Sequence, residues 1–219
     1  MYNRSEIEQQ VAAFLTQIKA IKLQPTNPFT WASGLKSPIY CDNRITLSHP
    51  SIRTYIRQKL VSVIQDEFGS VGSIAGVATA GIPQGVLVAQ DLGLPFIYVR
   101  SKPKEHGTQS LIEGEVHSGQ RIVVVEDLIS TGKSSLAAVE ALRNAGCDVA
   151  GLAAVFTYGL PVADENFRNA KCRLVTLSNY SALLTYALNH QIIQNDHIDL
   201  LRRWKDDPQA WSDQYNAQS

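Results

Sequence analysis

Apolar residues along this chain change their spacing several times, and each change marks an element. Ile7, Val11, Phe14, Leu15 and Ile18 recur at helical intervals, so an amphipathic helix is expected over Ser5–Ala20, with Ser5 and Glu8 matching a capping box. Between residues 28 and 48 the pattern breaks into short aromatic runs punctuated by Pro and Gly. Two short strands are expected there, near Phe29–Ala32 and Pro38–Cys41. Pro50 opens a second helix, to about Phe68, with Ile52, Ile56, Leu60, Val63 and Ile64 on one face.

From about residue 71 strands and helices alternate. Strands are expected at Ser73–Val77, Pro95–Val99, Arg121–Asp127, Asp148–Thr157 and in the CRLVTL run beginning at Cys172. Helices are expected over Gly81–Leu92 and Gly132–Ala145, and near Asp164–Asn169, Ser181–Leu188 and Asp196–Lys205. Arg100–Glu115 is polar and reads as a loop, and the last residues of the polar tail read as frayed. Such alternation defines an α/β chain with a parallel sheet. The unbroken apolar run Ile122–Val125 marks a central strand covered on both faces.

Composition narrows the class. With 20 Lys+Arg against 20 Asp+Glu the formal net charge is zero, which disfavours nucleic-acid binding through bulk electrostatics. At 44% hydrophobic and 18% charged residues, the 219-residue chain is globular and large enough to need no staple. Three cysteines without a CxxC argue against a disulfide framework or structural zinc. The first residues carry no apolar signal core and no run approaches 18 apolar residues, so a cytoplasmic protein without a membrane span is expected. His49, His117, His190 and His197 lack ligand-like spacing, and Cys147 and Cys172 read as buried apolar fillers.

The chemistry concentrates in IVVVEDLISTGKSS, residues 122–135. A buried strand ends in Glu126 and Asp127, a turn of small residues follows, and a helix begins. Ligands of parallel sheets bind beyond the carboxyl ends of the strands, and N–H groups at a helix N-terminus bind phosphate. Ser130, Thr131 and Ser134 add hydroxyls and Lys133 a positive charge. The two acids repel that phosphate, so they serve another part of the ligand: sugar hydroxyls, or Mg²⁺ through water. A site wanting both a phosphate and vicinal hydroxyls describes a ribose 5-phosphate. STGKSS is not a Walker A loop, because Asp127 stands where that motif needs its first glycine, six residues before Lys133.

VVVEDLISTGKSS resembles the diphosphoribosyl-binding motif of type I phosphoribosyltransferases. FTWASGLKSPIYCDNR (Phe29–Arg44), GVATAGIP (Gly76–Pro83) and RSKPKEHGTQSLIEG (Arg100–Gly114) narrow the resemblance to the orotate phosphoribosyltransferases, over roughly residues 27–135. The resemblance implies a type I phosphoribosyltransferase fold: a central parallel sheet flanked by helices. Residues 1–50 would form a small hood, and 51–219 a core whose C-terminal chain also contributes to that hood. It implies transfer of a phosphoribosyl group from phosphoribosyl diphosphate to orotate. Glu126 and Asp127 would hold the ribose hydroxyls, and Leu128, Ile129, Ser130, Thr131, Gly132, Lys133 and Ser134 would wrap the 5-phosphate. Thr79 and Ala80, in a loop whose family counterpart often has a cis peptide, would cradle the diphosphate. Arg100, Lys104 and His106 would close over it from a mobile loop reaching the neighbouring subunit of a homodimer. Lys104, His106 and Asp127 are the implied catalytic residues. Ser130, Tyr40, Cys41 and Lys36 are the implied orotate contacts. Mg²⁺ is the implied cofactor, held by diphosphate and water rather than by side chains.

The chain departs from the family pattern at Ala32 and Ser101, where some members carry Lys; Lys102 stands one position on. It also has Tyr158 where some members carry Arg. The partner of orotate's carboxylate is therefore open among Lys36, Arg44 and backbone N–H groups. The alternative functions are phosphoribosyl transfer to another nucleobase, or a non-catalytic regulator that senses phosphoribosyl diphosphate.

Overall fold

The computed structural model describes residues 3–31, 33–102 and 111–218. Its centre is a six-stranded sheet of β5 (Ser73–Val77), β6 (Phe96–Val99), β7 (Ile112–Glu113), β8 (Arg121–Ile129), β9 (Asp148–Thr157) and β10 (Leu174–Asn179). Strand order is β10-β9-β8-β5-β6-β7. All neighbours run parallel except β6 and β7, where the segment expected as loop supplies a two-residue antiparallel edge. So short a strand has no period of its own; pairing to Tyr98 and Val99 creates it.

Alternate side chains of β8 enter two separate cores. Val123 and Val125 join a cluster with Leu15 of α1 (Arg4–Gln17), Ile56 and Leu60 of α2 (Pro50–Phe68) and Val88 of α3 (Gly81–Leu92). Ile122 and Val124 join Val139 and Leu142 of α4 (Lys133–Asn144) and Phe167 of α5 (Pro161–Asn169). This two-sided burial explains the continuous apolar run: neither face of the strand meets water. Cys147 and Cys172 are buried in the second cluster.

Helix α1 starts one residue before the expected cap. Asn3, not Ser5, is the N-cap, and its side chain accepts from the Glu6 N–H, so Ser5 already lies in the first turn. The N-terminal strands also differ from expectation. β4 (Ile39–Cys41) pairs antiparallel with β1 (Ile21–Leu23), while β2 (Phe29–Thr30) pairs with β3 (Lys36–Ser37). Ala32 lies outside the described residues. A 3-10 turn over Asn43–Ser48 then leads into α2.

The C-terminal helices are α6 (Tyr180–Asn189), α7 (Ile198–Asp206) and α8 (Pro208–Gln218). The polar tail is helical to Gln218, anchored where Trp211 and Ser212 are buried and the Ser212 hydroxyl accepts from the Lys36 N–H of β3; of the last residues expected to fray, Ser219 lies outside the described residues. Among the described residues no helix is long and apolar enough to cross a membrane.

Candidate active site

β8 carries the acids to the carboxyl edge of the sheet, and its ladder with β9 continues past them to Ile129. The turn Ser130–Gly132 reverses the chain into α4. Gly132 has φ +77°, the left-handed region that glycine enters without strain, and a Cβ there would stand 2.6 Å from the Phe167 ring. The turn therefore lies directly on α5.

The two acids occupy different environments. Glu126 is buried; one carboxylate oxygen accepts from the Ser135 hydroxyl at 3.2 Å and the other from the Asp127 N–H at 3.0 Å. Burial, reinforced by the negative charge of Asp127, pushes its pKa up to about 9. Asp127 is only half-buried and so reaches the open edge. Burial raises its pKa too, opposed by hydrogen bonds from Glu126 and from the Leu128 N–H.

The loop joining β5 to α3 faces this pair. Its Ala78–Thr79 peptide is cis, and Ala80 caps α3, placing Thr79 and Ala80 at the helix N-terminus. Gly81 follows, close under Glu126. Cys41 belongs to the same constellation: its thiol donates to Asn43 Oδ1 at 3.3 Å, and burial, with Asp127 and Asp42 nearby, pushes its pKa well up. Tyr40 is exposed and lies beside the Phe29 ring.

The basic candidates are differently engaged. Lys36 Nζ donates to the Thr30 hydroxyl at 2.9 Å. Arg44 is held bidentately by Asp42, at 2.7 and 2.9 Å. Arg100 lies at the end of β6 and meets Glu113 at 3.4 Å. Lys104 and His106 lie outside the described residues. Tyr158 is buried and stacked on Trp31, with Trp204 edge-on to both rings. Beside the turn a cleft of about 430 Å³ is walled by Trp31, Leu35, Ser130, Thr131 and Leu160 among others. Its walls can receive a flat, partly apolar ring next to a phosphate site. Asn43 and Asn166 were not expected at the site: their partners are 84 and 35 residues away. Ser135 closes the 122–135 segment and reaches Glu126 within it.

A parallel sheet whose central strand delivers an acid pair and a phosphate-sized turn to its carboxyl edge offers one site for a phosphate and for the hydroxyls of a sugar. Consistently, the family model of the phosphoribosyl transferase domain matches residues 46–183. An orotate phosphoribosyltransferase of Bacteroides thetaiotaomicron is 58% identical over 205 residues, covering 94% of this chain and 97% of its own. One from Listeria monocytogenes serotype 4b is 52% identical, covering 94% and 98%. The crystal structure of orotate phosphoribosyltransferase from Aeropyrum pernix superposes with a TM-score of 0.73 at 29% identity, covering 84% and 99%. The chain belongs to the type I phosphoribosyltransferase family, in its orotate phosphoribosyltransferase branch.

Proposed function

We propose that this protein transfers the 5-phosphoribosyl group of phosphoribosyl diphosphate to orotate, releasing diphosphate and giving orotidine 5-phosphate in pyrimidine synthesis. The observation that carries it is the Glu126–Asp127 pair near the end of β8, with Glu126 buried and Asp127 open to the sheet edge, followed by the Ser130–Gly132 turn into α4. Curated relatives of that name at 52–58% identity support orotate as the acceptor.

The reaction is a displacement at the anomeric carbon. The orotate ring nitrogen attacks as the bond to diphosphate breaks, through a transition state resembling an oxocarbenium ion. Glu126 and Asp127 hold the ribose hydroxyls, and residues Leu128–Ser134 hold the 5-phosphate, so the sugar is fixed in line. Thr79 and Ala80 cradle the diphosphate. Arg100, Lys104 and His106 neutralise its developing charge and, from a loop of the neighbouring subunit in a homodimer, keep water from the reacting carbon. Ser130, Tyr40, Cys41 and Lys36 contact orotate, under a hood formed by residues 1–50 and part of the C-terminal chain.

Among the described residues no group of three or more His, Cys, Asp or Glu is arranged to hold a metal. Asp127, with the buried Glu126 beside it, would stand near a Mg²⁺ that arrives on the diphosphate and keeps its waters, without a side-chain metal site of its own. When bound, the ion supplies charge neutralisation to the leaving group. A cytoplasmic location fits three unpaired cysteines.

A spectrophotometric assay of orotate consumption with phosphoribosyl diphosphate and Mg²⁺ tests this reading. Turnover of orotate, abolished by Asp127→Asn, is expected. Turnover of hypoxanthine or adenine but not orotate would reject the acceptor, and tight nucleic-acid binding without any turnover would reject catalysis.

A further inference from the structure

Two asparagines hold the backbone of the phosphate turn from behind. Asn43 Nδ2 donates to the Asp127 carbonyl at 2.7 Å, and Asn166 Nδ2 donates to the Thr131 carbonyl at 2.9 Å. The Asp127 carbonyl lies near the end of β8 and the Thr131 carbonyl in the turn that leads into α4. In a trans peptide the C=O and the next N–H point in opposite directions across one rigid plane. Holding the Asp127 carbonyl therefore fixes the Leu128 N–H, and holding the Thr131 carbonyl fixes the Gly132 N–H. The Leu128 N–H in turn donates to the Asp127 carboxylate. One amide thus governs an acid, and the other an N–H at the mouth of α4.

Both asparagines are themselves held. Asn43 is 1% exposed, its Oδ1 accepts from the Cys41 thiol, and its own carbonyl accepts from the Thr46 hydroxyl at 2.6 Å. Thr46 Oγ1 accepts from Gln84 Nε2 of α3 at 3.2 Å. The brace therefore joins β4, α3 and the end of β8. Asn166 stands on α5 next to Phe167, the residue on which Gly132 rests. A side-chain amide that takes up a turn carbonyl leaves the opposite N–H free to face a ligand, which is what a phosphate site needs.

We propose that Asn43 and Asn166 are positioning residues that set the peptide planes of the turn, Asn43 aiming the Asp127 carboxylate at the ribose and Asn166 aiming the Gly132 N–H at the 5-phosphate. This deepens the proposed function and rests on it. The two have separable signatures. The 5-phosphate is held alike in ground and transition state, so losing the Asn166 bond weakens binding. The Asp127 carboxylate aligns the reacting sugar, so losing the Asn43 bond lowers kcat.

Asn166 is only half-buried on a short helix, so Asn166→Leu, of similar bulk without a donor, keeps the fold. Binding of ribose 5-phosphate, measured by calorimetry, should weaken about tenfold, the equivalent of one hydrogen bond of about 1.4 kcal/mol. Asn166→Gln, which keeps the donor, should recover most of it. In turnover Asn166→Leu should raise KM for phosphoribosyl diphosphate with kcat within twofold of wild type. Asn43→Ser should lower kcat about tenfold with both KM values little changed. A purely structural role for Asn166 would lower Tm alone; ribose 5-phosphate affinity equal to wild type in folded Asn166→Leu overturns the Asn166 assignment, and wild-type kcat in folded Asn43→Ser overturns the Asn43 assignment. The binding assay uses no orotate. A wild-type protein that binds ribose 5-phosphate but does not consume orotate therefore rejects the acceptor while leaving this test intact.

Discussion

Gly81 and Val125 approach so closely that a Cβ on Gly81 would stand 2.5 Å from the Val125 carbonyl oxygen, and 3.2 Å from a carboxylate oxygen of Glu126. The obstacle is strand backbone, which cannot swing aside. Helix α3 therefore starts hard against the strand that carries the acids, and its first turn sets their spacing from the Thr79–Ala80 loop. Gly81→Ala should push α3 outward and destabilise the protein by about 1–3 kcal/mol, as overpacking does. Urea unfolding measures this. An unchanged midpoint would show that α3 is not seated on β8.

Glu126 makes stability depend on pH. Its folded pKa, about 9, lies above the 4.5 of the free side chain, so the folded state binds the proton more tightly than the unfolded chain. Stability is then lost as pH rises from about 4.5 to about 9, by a few kcal/mol in all. Glu126→Gln cannot ionise and escapes this loss. Its stability relative to wild type should grow between pH 6 and pH 9 in denaturant titrations. A constant difference across that range would show that Glu126 is ionised in the folded protein.

Most of the sheet was legible in the chain because each of its long strands is buried on both faces. Asp148–Thr157 reads as a strand in sequence and structure alike, since ten residues of strand leave a pattern that flanking turns delimit. The acid pair was legible for the same reason: it ends the strongest apolar run. Short elements were not. β1 and β7 have three and two residues, too few for a period, and exist because Cys41 and Tyr98 offer them ladder partners. The tail read as polar because α8 buries only part of one face, under Trp211 and Ser212. Asn43 and Asn166 carry no local sequence signal, because their bonds to the end of β8 and to the turn span 84 and 35 residues and obey no local spacing.

Lys36, Arg44 and backbone N–H groups are the candidates for orotate's carboxylate, and the two side chains are separated by their partners. Arg44 is 63% exposed and its guanidinium is already satisfied by Asp42, whose own pKa is lowered by that hydrogen bond. The Lys36 ammonium meets the neutral Thr30 hydroxyl, which leaves its charge uncompensated by that contact. Lys36→Ala should therefore raise KM for orotate about tenfold, as loss of a charged hydrogen bond does, without changing KM for phosphoribosyl diphosphate. Arg44→Ala should move either constant less than twofold, and stability by less than about 1 kcal/mol, as for exposed ion pairs. The reverse pattern in steady-state kinetics would transfer the assignment to Arg44.

Lys104 and Asp127 are proposed to act in one site but on different chains, and this has a consequence that single variants cannot show. Lys104→Ala should lower kcat by about 10²-fold or more, because a cation aimed at the developing diphosphate charge acts in the transition state. It should leave Tm unchanged, since Lys104 is a charged residue in a polar segment. Asp127→Asn should be comparably inactive through loss of its ribose contact. When the two inactive variants are mixed and allowed to exchange subunits, each mixed dimer has one site with both lesions and one with neither. Random exchange of equal amounts makes about half of the dimers mixed, each with one intact site, so about a quarter of wild-type activity should return. Two sites complete within their own chains would each keep one lesion, and the mixture would stay as inactive as its parts. Gel filtration of the wild-type protein supplies the accompanying measurement: a 219-residue chain that elutes as a monomer at assay concentration, yet turns over orotate, excludes action in trans.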